Sequence, residues 1–363
     1  MPYGLIVILG FGLVLLDIRQ GSRENRVLIR FVFLGVILSM IIIGGLRDGV
    51  GFDTGAYTRI FDRLPKLSTN FLNVSRDTHG EIGFKVLIGG LKTLGFKQVQ
   101  SLFVIIIVSA LLLNRNSLRK YTPYFYTSFF LYICFYFFGR EMGQIRQGLA
   151  TAIILFSIRF IIDRKLLQFI ITVFVAASFH ASSLVILPFY FIAHKEFSRK
   201  HYILILLFGI ILNNVSWLRG NVAYIESVLR FELPYIENMR YGYQTGSLLS
   251  FQYLRRLFPA ILVIVGYEKL KSKFEYFTVL SNVLMGGVFL SLIFHEVAIY
   301  VERLFAPMIF VEIVLLGFFV DYFENRYLRL FYRIFIIGYG TLYFINLMTS
   351  KLSTFFPYKN ILF

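Results

Sequence analysis

Between two long apolar runs lies Gly139-Arg140-Glu141-Met142-Gly143-Gln144-Ile145-Arg146-Gln147, a compact charged island. Two arginines and a glutamate at a membrane boundary are costly to keep. A guanidinium group is suited above all to gripping phosphate or carboxylate through two parallel hydrogen bonds. The island therefore indicates a membrane enzyme or carrier for an anionic substrate, and a diphosphate fits that grip. Arg47 and Arg303 stand at comparable borders of apolar runs. For each of these arginines the plainer alternative is a helix end anchored by snorkelling to lipid headgroups.

The elements that must position these groups are set by composition. Hydrophobic residues form 57% of the 363, charged residues only 16%, and mean hydropathy is +0.71; a soluble domain has about 25% charged residues. Runs such as Leu28 to Leu46, Ser101 to Leu113, Phe277 to Phe294 and Leu304 to Val320 suit helices crossing a hydrocarbon core of about 30 Å. The expectation is an all-α polytopic membrane protein, a single transmembrane domain over residues 1–363. The first run, Pro2 to Leu16, lacks a basic leader and reads as a transmembrane helix rather than a signal peptide. The lone Cys134 excludes an internal disulfide and a thiolate cluster. No spacing typical of metal ligands occurs, so neither a metal nor another cofactor is expected. The formal charge of +17 is better explained by topology and anionic lipid than by nucleic acid.

Apolar runs begin near Pro2, Ile29, Gln100, Pro123, Ile145, Leu166, Ser182, Tyr202, Leu254, Phe277, Leu304 and Phe331, giving about twelve spans. Alternate connections are basic: Arg19 to Arg30, Arg115 to Lys120, Arg164-Lys165, Lys195 to Lys200, Lys269 to Lys273 and Arg326 to Arg333. Basic loops stay on the cytoplasmic side. The other side then receives two long loops, about residues 47–99 and 213–253, together with the island, the turn at His180 and the segment from His295 to Arg303. In the first of these loops Tyr57, Ile60, Phe61 and Leu64 fall at i, i+3, i+4 and i+7, an amphipathic helix for the interface. A second helix is expected from Ile82 to Leu94, with Gly89-Gly90 loosening it enough to dip into the membrane. Pro65 and Pro234 mark breaks in the two loops.

The segment from Arg47 through Gly51 and Asp53 to Tyr57 resembles the R-x-x-x-G-x-D-x-x-x-Y opening of the EpsG/Wzy-type polysaccharide polymerases. Glu81-Ile82-Gly83-Phe84 resembles that family's E-x-G-[YF] element, and Ile145-Arg146-Gln147-Gly148-Leu149-Ala150 its I-R-Q-x-[IL]-A signature. Phe179-His180-Ala181-Ser182 is similar to its F-H-x-[ST] turn, and Glu302-Arg303-Leu304 to a late arginine. These elements run in family order. Arg140-Glu141-Met142 departs from the asparagine-rich stretch common in the family.

The resemblance implies polymerisation of oligosaccharide repeat units carried on undecaprenyl diphosphate, at the outer face of a bacterial cytoplasmic membrane. A chain-length regulator protein is a possible partner on the same ground. Arg47, Arg140, Arg146 and Arg303 would hold the diphosphate, Gln147 would orient a sugar hydroxyl, and Tyr57 would stack on a sugar ring or simply pack. The acceptor hydroxyl needs a proton acceptor. His180 is the first candidate, because histidine exchanges protons near neutral pH; its alternative is a hydrogen-bonded structural residue. Asp53 and Glu81 are rivals. Asp53 also suits the N-cap of the helix after it, and Glu81 the positive end of the next. Glu312, inside an apolar run, calls for a polar partner in the bundle or serves a proton-coupled carrier. A flippase for the same lipid-linked substrate is the alternative function.

Overall fold

A backbone in hydrocarbon must satisfy its own hydrogen bonds, which favours helices throughout so apolar a chain. The computed structural model describes residues 2–18, 23–68, 70–215, 251–295 and 300–362, and among these the only β-type contact is a bridge between Arg47 and Asn360. In chain order the helices are α1 (Pro2–Ile18), α2 (Arg23–Met40), α3 (Thr54–Arg63), α4 (Phe71–Arg76), α5 (Ile82–Thr93), α6 (Gln100–Tyr121), α7 (Phe125–Tyr132), α8 (Ile145–Ile162) and α9 (Leu166–Ala177). They continue with α10 (Phe189–Ile192), α11 (Arg199–Val215), α12 (Phe251–Lys271), α13 (Phe277–Ile293), α14 (Ala306–Ile309), α15 (Glu312–Phe318), α16 (Arg326–Ser350) and α17 (Leu352–Phe355).

A helix, or a chain of short helices, begins within a few residues of every start read from hydropathy. Among the described residues four segments are long and apolar enough to cross a membrane: Val27–Gly45, Gln100–Tyr121, Ile145–Ile162 and Arg326–Ser350. Pro2–Leu16, Phe125–Phe137, Leu166–Ala177, Ala181–Ile192 and Phe277–Ile293 are shorter apolar helices. Ile8, Phe31, Leu207, Phe331 and Leu342 are all exposed. Apolar exposure on this scale would be a liability in water and is natural against lipid. The chain is a helical membrane protein. The break expected at Pro65 falls just after α3; Pro234 and most of the loop 213–253 lie outside the described residues.

The chain forms two compact units. The first comprises residues 1–156, 172–181 and 323–363, the second 157–171 and 182–322, so the boundary passes through α8 and α9. In the first unit both ends of the chain meet. The Tyr3 ring makes edge contacts with Phe138, Phe355, Phe356 and Tyr358, and its hydroxyl donates to the Phe355 carbonyl at 3.0 Å. A π-helical turn at Ile41–Gly45 leaves carbonyls that the regular helix would have used. The Tyr358 hydroxyl donates to Ile43, Asn360 Nδ2 donates to Ile42 at 3.0 Å, and Arg47 donates to Gly44.

In the second unit α11, α12 and α13 pack around buried polar groups. The Tyr202 hydroxyl donates to Asn282 Oδ1 at 2.5 Å, and Asn282 Nδ2 donates to the Ala193 and Lys195 carbonyls. Phe274 stacks on Phe318 with 4.2 Å between ring centres.

Candidate functional site

The site is assembled at the N-terminus of α5. Gly80 has a φ of +116°, a conformation favouring glycine, and a Cβ there would lie 3.3 Å from Arg146 Nη1. Gly83 lacks the Cβ that would strike Ser178, so its N–H reaches the Ser178 carbonyl at 2.8 Å. That close approach carries the residue two positions earlier, Glu81, to the turn after α9. The spacing of Glu81, Gly83 and Phe84 thus has a packing reason: one binds, one permits contact, and one lies under the arginine.

Glu81 bridges two partners. Its Oε2 accepts from Arg146 Nη1 at 2.6 Å, while Oε1 lies 3.1 Å from His180 Nδ1 and 3.3 Å from the Ala181 N–H. Burial pushes the Glu81 pKa up, but the His180 hydrogen bond, the Arg146 charge and its own backbone N–H outweigh it and hold the carboxyl down to about 2. A group so depressed is charged at neutral pH and a poor proton acceptor. Its stabilising contribution is present above the ordinary carboxylate range and lost only as the pH falls toward about 2. Facing an ionised carboxylate, Nδ1 is the donor of that contact, which leaves Nε2 as the ring nitrogen not engaged by Glu81.

The Arg146 guanidinium lies 5.7 Å from the Phe84 ring centre and 6.0 Å from that of Tyr57. Its Nη2 is 3.5 Å from His79 Nε2, and its Nε is buried with no hydrogen-bond partner among the described residues. The Tyr57 ring is buried and meets Phe84 edge-on. His79 was not singled out from sequence, although it stands two residues before Glu81 on the same turn. Asp53 occupies the N-cap position of α3 without a side-chain capping bond.

The island around Arg140 makes contacts of its own. Arg140 Nη1 donates to both Gln144 and Gln147, and Gln147 is buried in doing so. Glu141 is also buried, and burial pushes its carboxyl up to about 7 against the Tyr132 hydrogen bond and the Arg140 charge.

The remaining candidates stand elsewhere. Arg47 is fully buried; Nε donates to Val50 at 2.9 Å, another donor reaches Gly44, and the guanidinium covers Phe103 at 4.1 Å. Arg303 belongs to the second unit, on a π-helical turn at Tyr300–Leu304, and the preceding residues 296–299 lie outside the described residues. In the same unit the buried Glu312 accepts from Arg255 at 2.7 Å, the polar partner its position called for. Among the described residues no cluster of three His, Cys, Asp or Glu side chains could hold a metal ion.

An apolar helical bundle that carries an arginine–carboxylate–imidazole array beside its helix ends defines the class, a helical membrane protein. The chain belongs to the EpsG family, whose profile matches residues 30–360. It is also similar to the amylovoran biosynthesis protein AmsC of Erwinia amylovora, with 23% identity over 205 residues. That match covers 54% of this chain and 54% of the relative, so the chain spans about half the length of the curated relative it matches. No solved structure matches the chain.

Proposed function

We propose that this protein is a polysaccharide polymerase that joins oligosaccharide repeat units carried on undecaprenyl diphosphate, at the outer face of a bacterial inner membrane. The observation that carries this reading is the Glu81 carboxylate held between Arg146 and His180. The acceptor hydroxyl attacks the anomeric carbon of the growing chain, and its proton passes to His180 Nε2. The bond from that carbon to the diphosphate breaks, and the leaving diphosphate takes the electron pair. Arg146, supported by Arg140, meets the charge that develops on it; preorganised cationic donors are worth most in such a site. Glu81 orients the imidazole and supports its protonated form, acting through His180 rather than as the base itself. His79 beside Arg146 is a further contact for the substrate. Tyr57 holds the arginine face, and Gln147 keeps Arg140 in place. The family and the amylovoran relative support the polymer product, and a chain-length regulator is the natural partner.

The test uses purified protein in detergent with a lipid-diphosphate-linked repeat unit, products being resolved on a gel. A ladder of lengthening glycans without added nucleotide or metal is expected. His180→Gln should lower extension by about 10²–10³-fold, and Glu81→Gln by about tenfold to a hundredfold with an altered pH profile. A full ladder from His180→Gln would remove the proposed base. The rival reading, transport of the same lipid, draws on the buried Arg255–Glu312 pair. Movement of the lipid across a liposome bilayer with no ladder would establish it and make Glu312 the residue to substitute.

Sidedness has its own test. Cys134 is buried, so introduced cysteines read against a quiet background. A cysteine at the exposed Asn73, after α3, should react with an impermeant thiol reagent in intact cells. One at the exposed Lys120, ending α6, should not. The reverse pattern would place the site on the cytoplasmic side.

A further inference from the structure

In the first unit a cavity of about 580 Å³ lies along α2 and α6, lined on one side by Arg30, Phe33, Leu34, Ile37 and Ile41. The other side is Val108, Leu111, Leu112, Arg115 and Arg119, and Tyr126 of α7 completes the lining. Both rows run at i, i+3, i+4, i+7 and i+11, one stripe on each helix. The α2 row begins with its arginine, whereas the α6 row ends with two. The two helices are thus placed so that three guanidinium groups meet at one end of an apolar groove. Leu34 and Leu112 are 52% and 59% exposed, so the groove lies open along its length on the face that lipid would cover.

Among the described residues no carboxylate pairs with Arg30, Arg115 or Arg119; Arg119 instead covers the Phe125 ring at 5.2 Å. A topological signal needs only basic residues somewhere in a loop. It does not require them to converge on one groove, where like charges repel. The convergence therefore asks for an anion, and the apolar floor asks that the anion carry a hydrocarbon chain.

We infer that this groove is a binding site for an anionic phospholipid, its phosphate held by Arg30, Arg115 and Arg119 and one acyl chain laid along the paired apolar rows. The site is separate from the one built on Glu81. Gln100, at the start of α6, donates to the Arg47 carbonyl at 3.3 Å, close to the outer segment. Arg119 is nineteen residues further along the same helix, roughly 28 Å at helical rise. The lipid is therefore one of the opposite leaflet from the proposed glycan chemistry. The inference does not depend on that chemistry, only on the membrane placement of α2 and α6. Such a lipid would neutralise the cluster and clamp α2 to α6, the two helices that lead to the π-helical turn and Arg47.

Full-length protein in a neutral detergent is titrated with phosphatidylglycerol, phosphatidylcholine or inorganic phosphate, with binding read by native mass spectrometry and thermal unfolding. Phosphatidylglycerol should bind and raise the unfolding midpoint, while phosphatidylcholine and phosphate should not. The pair Arg115→Gln and Arg119→Gln should weaken phosphatidylglycerol binding at least tenfold. Lys200→Gln, at the start of α11 in the second unit, should leave it unchanged. Leu112→Trp, which fills the groove and keeps every charge, should also displace the lipid and serves if the double variant does not accumulate. Equal binding of phosphatidylcholine, full competition by inorganic phosphate, or undiminished binding in both the charge and groove variants would overturn the site.

Discussion

Arg146→Ala is expected to abolish glycan extension while the protein remains in the membrane at normal abundance. Arg146 is the arginine whose neighbours are chemically equipped: Glu81 at 2.6 Å, His79 at 3.5 Å, and the Tyr57 and Phe84 rings beneath. Removing one preorganised donor to a developing charge typically costs about 10²–10³-fold in kcat. The loss should fall on kcat more than KM, because the leaving diphosphate gains charge only as its bond breaks. Arg146→Lys should restore little, since a single ammonium cannot span two phosphate oxygens and still hold Glu81. Stability should change little: Glu81 keeps His180 and the Ala181 N–H as partners. Wild-type ladders from Arg146→Ala would remove the diphosphate grip from the mechanism.

Arg47→Ala should do the opposite, lowering stability first and activity only in proportion to the protein that survives. The Arg47 side chain is fully buried, and it satisfies the Gly44 and Val50 carbonyls and covers Phe103. Each buried polar group left without a partner costs about 1–3 kcal/mol, and the emptied volume adds to this. A loss of about 3–5 kcal/mol would follow, seen as a lower unfolding midpoint and reduced membrane abundance. Extension per folded molecule should stay close to normal. A stable, abundant and inactive Arg47→Ala would return Arg47 to the substrate, alongside Arg146.

These opposite expectations for two arginines show where legibility in the sequence stops. Both stand at the border of an apolar run, and both fall in motifs resembling one family. Their border position and residue type are local facts; what each guanidinium meets is not. Arg47 is committed to carbonyls opened by a π-helical turn and closed from the far side by Tyr358 and Asn360, more than 300 residues away. No periodicity announces a contact of that separation. Glu81 was legible as a polar residue before a helix and read as a rival base. Its joining of Arg146 to His180 depends on Gly83 meeting Ser178, a contact between distant parts of the chain.

By itself the sequence determined the helical membrane class, the positions of the apolar segments, the amphipathic helix after Asp53 and the polar residues worth testing. These follow from short-range physics: transfer of apolar side chains from water, the helical period, and the cost of charge near hydrocarbon. Tertiary structure alone decided which of the charged residues share a site. It paired Glu312 with Arg255, turned Arg47 inward, and set Glu81 between a guanidinium and an imidazole. Those outcomes depend on which helix ends meet. That is settled by packing and by the cost of leaving buried charges without a partner, a condition on the whole chain.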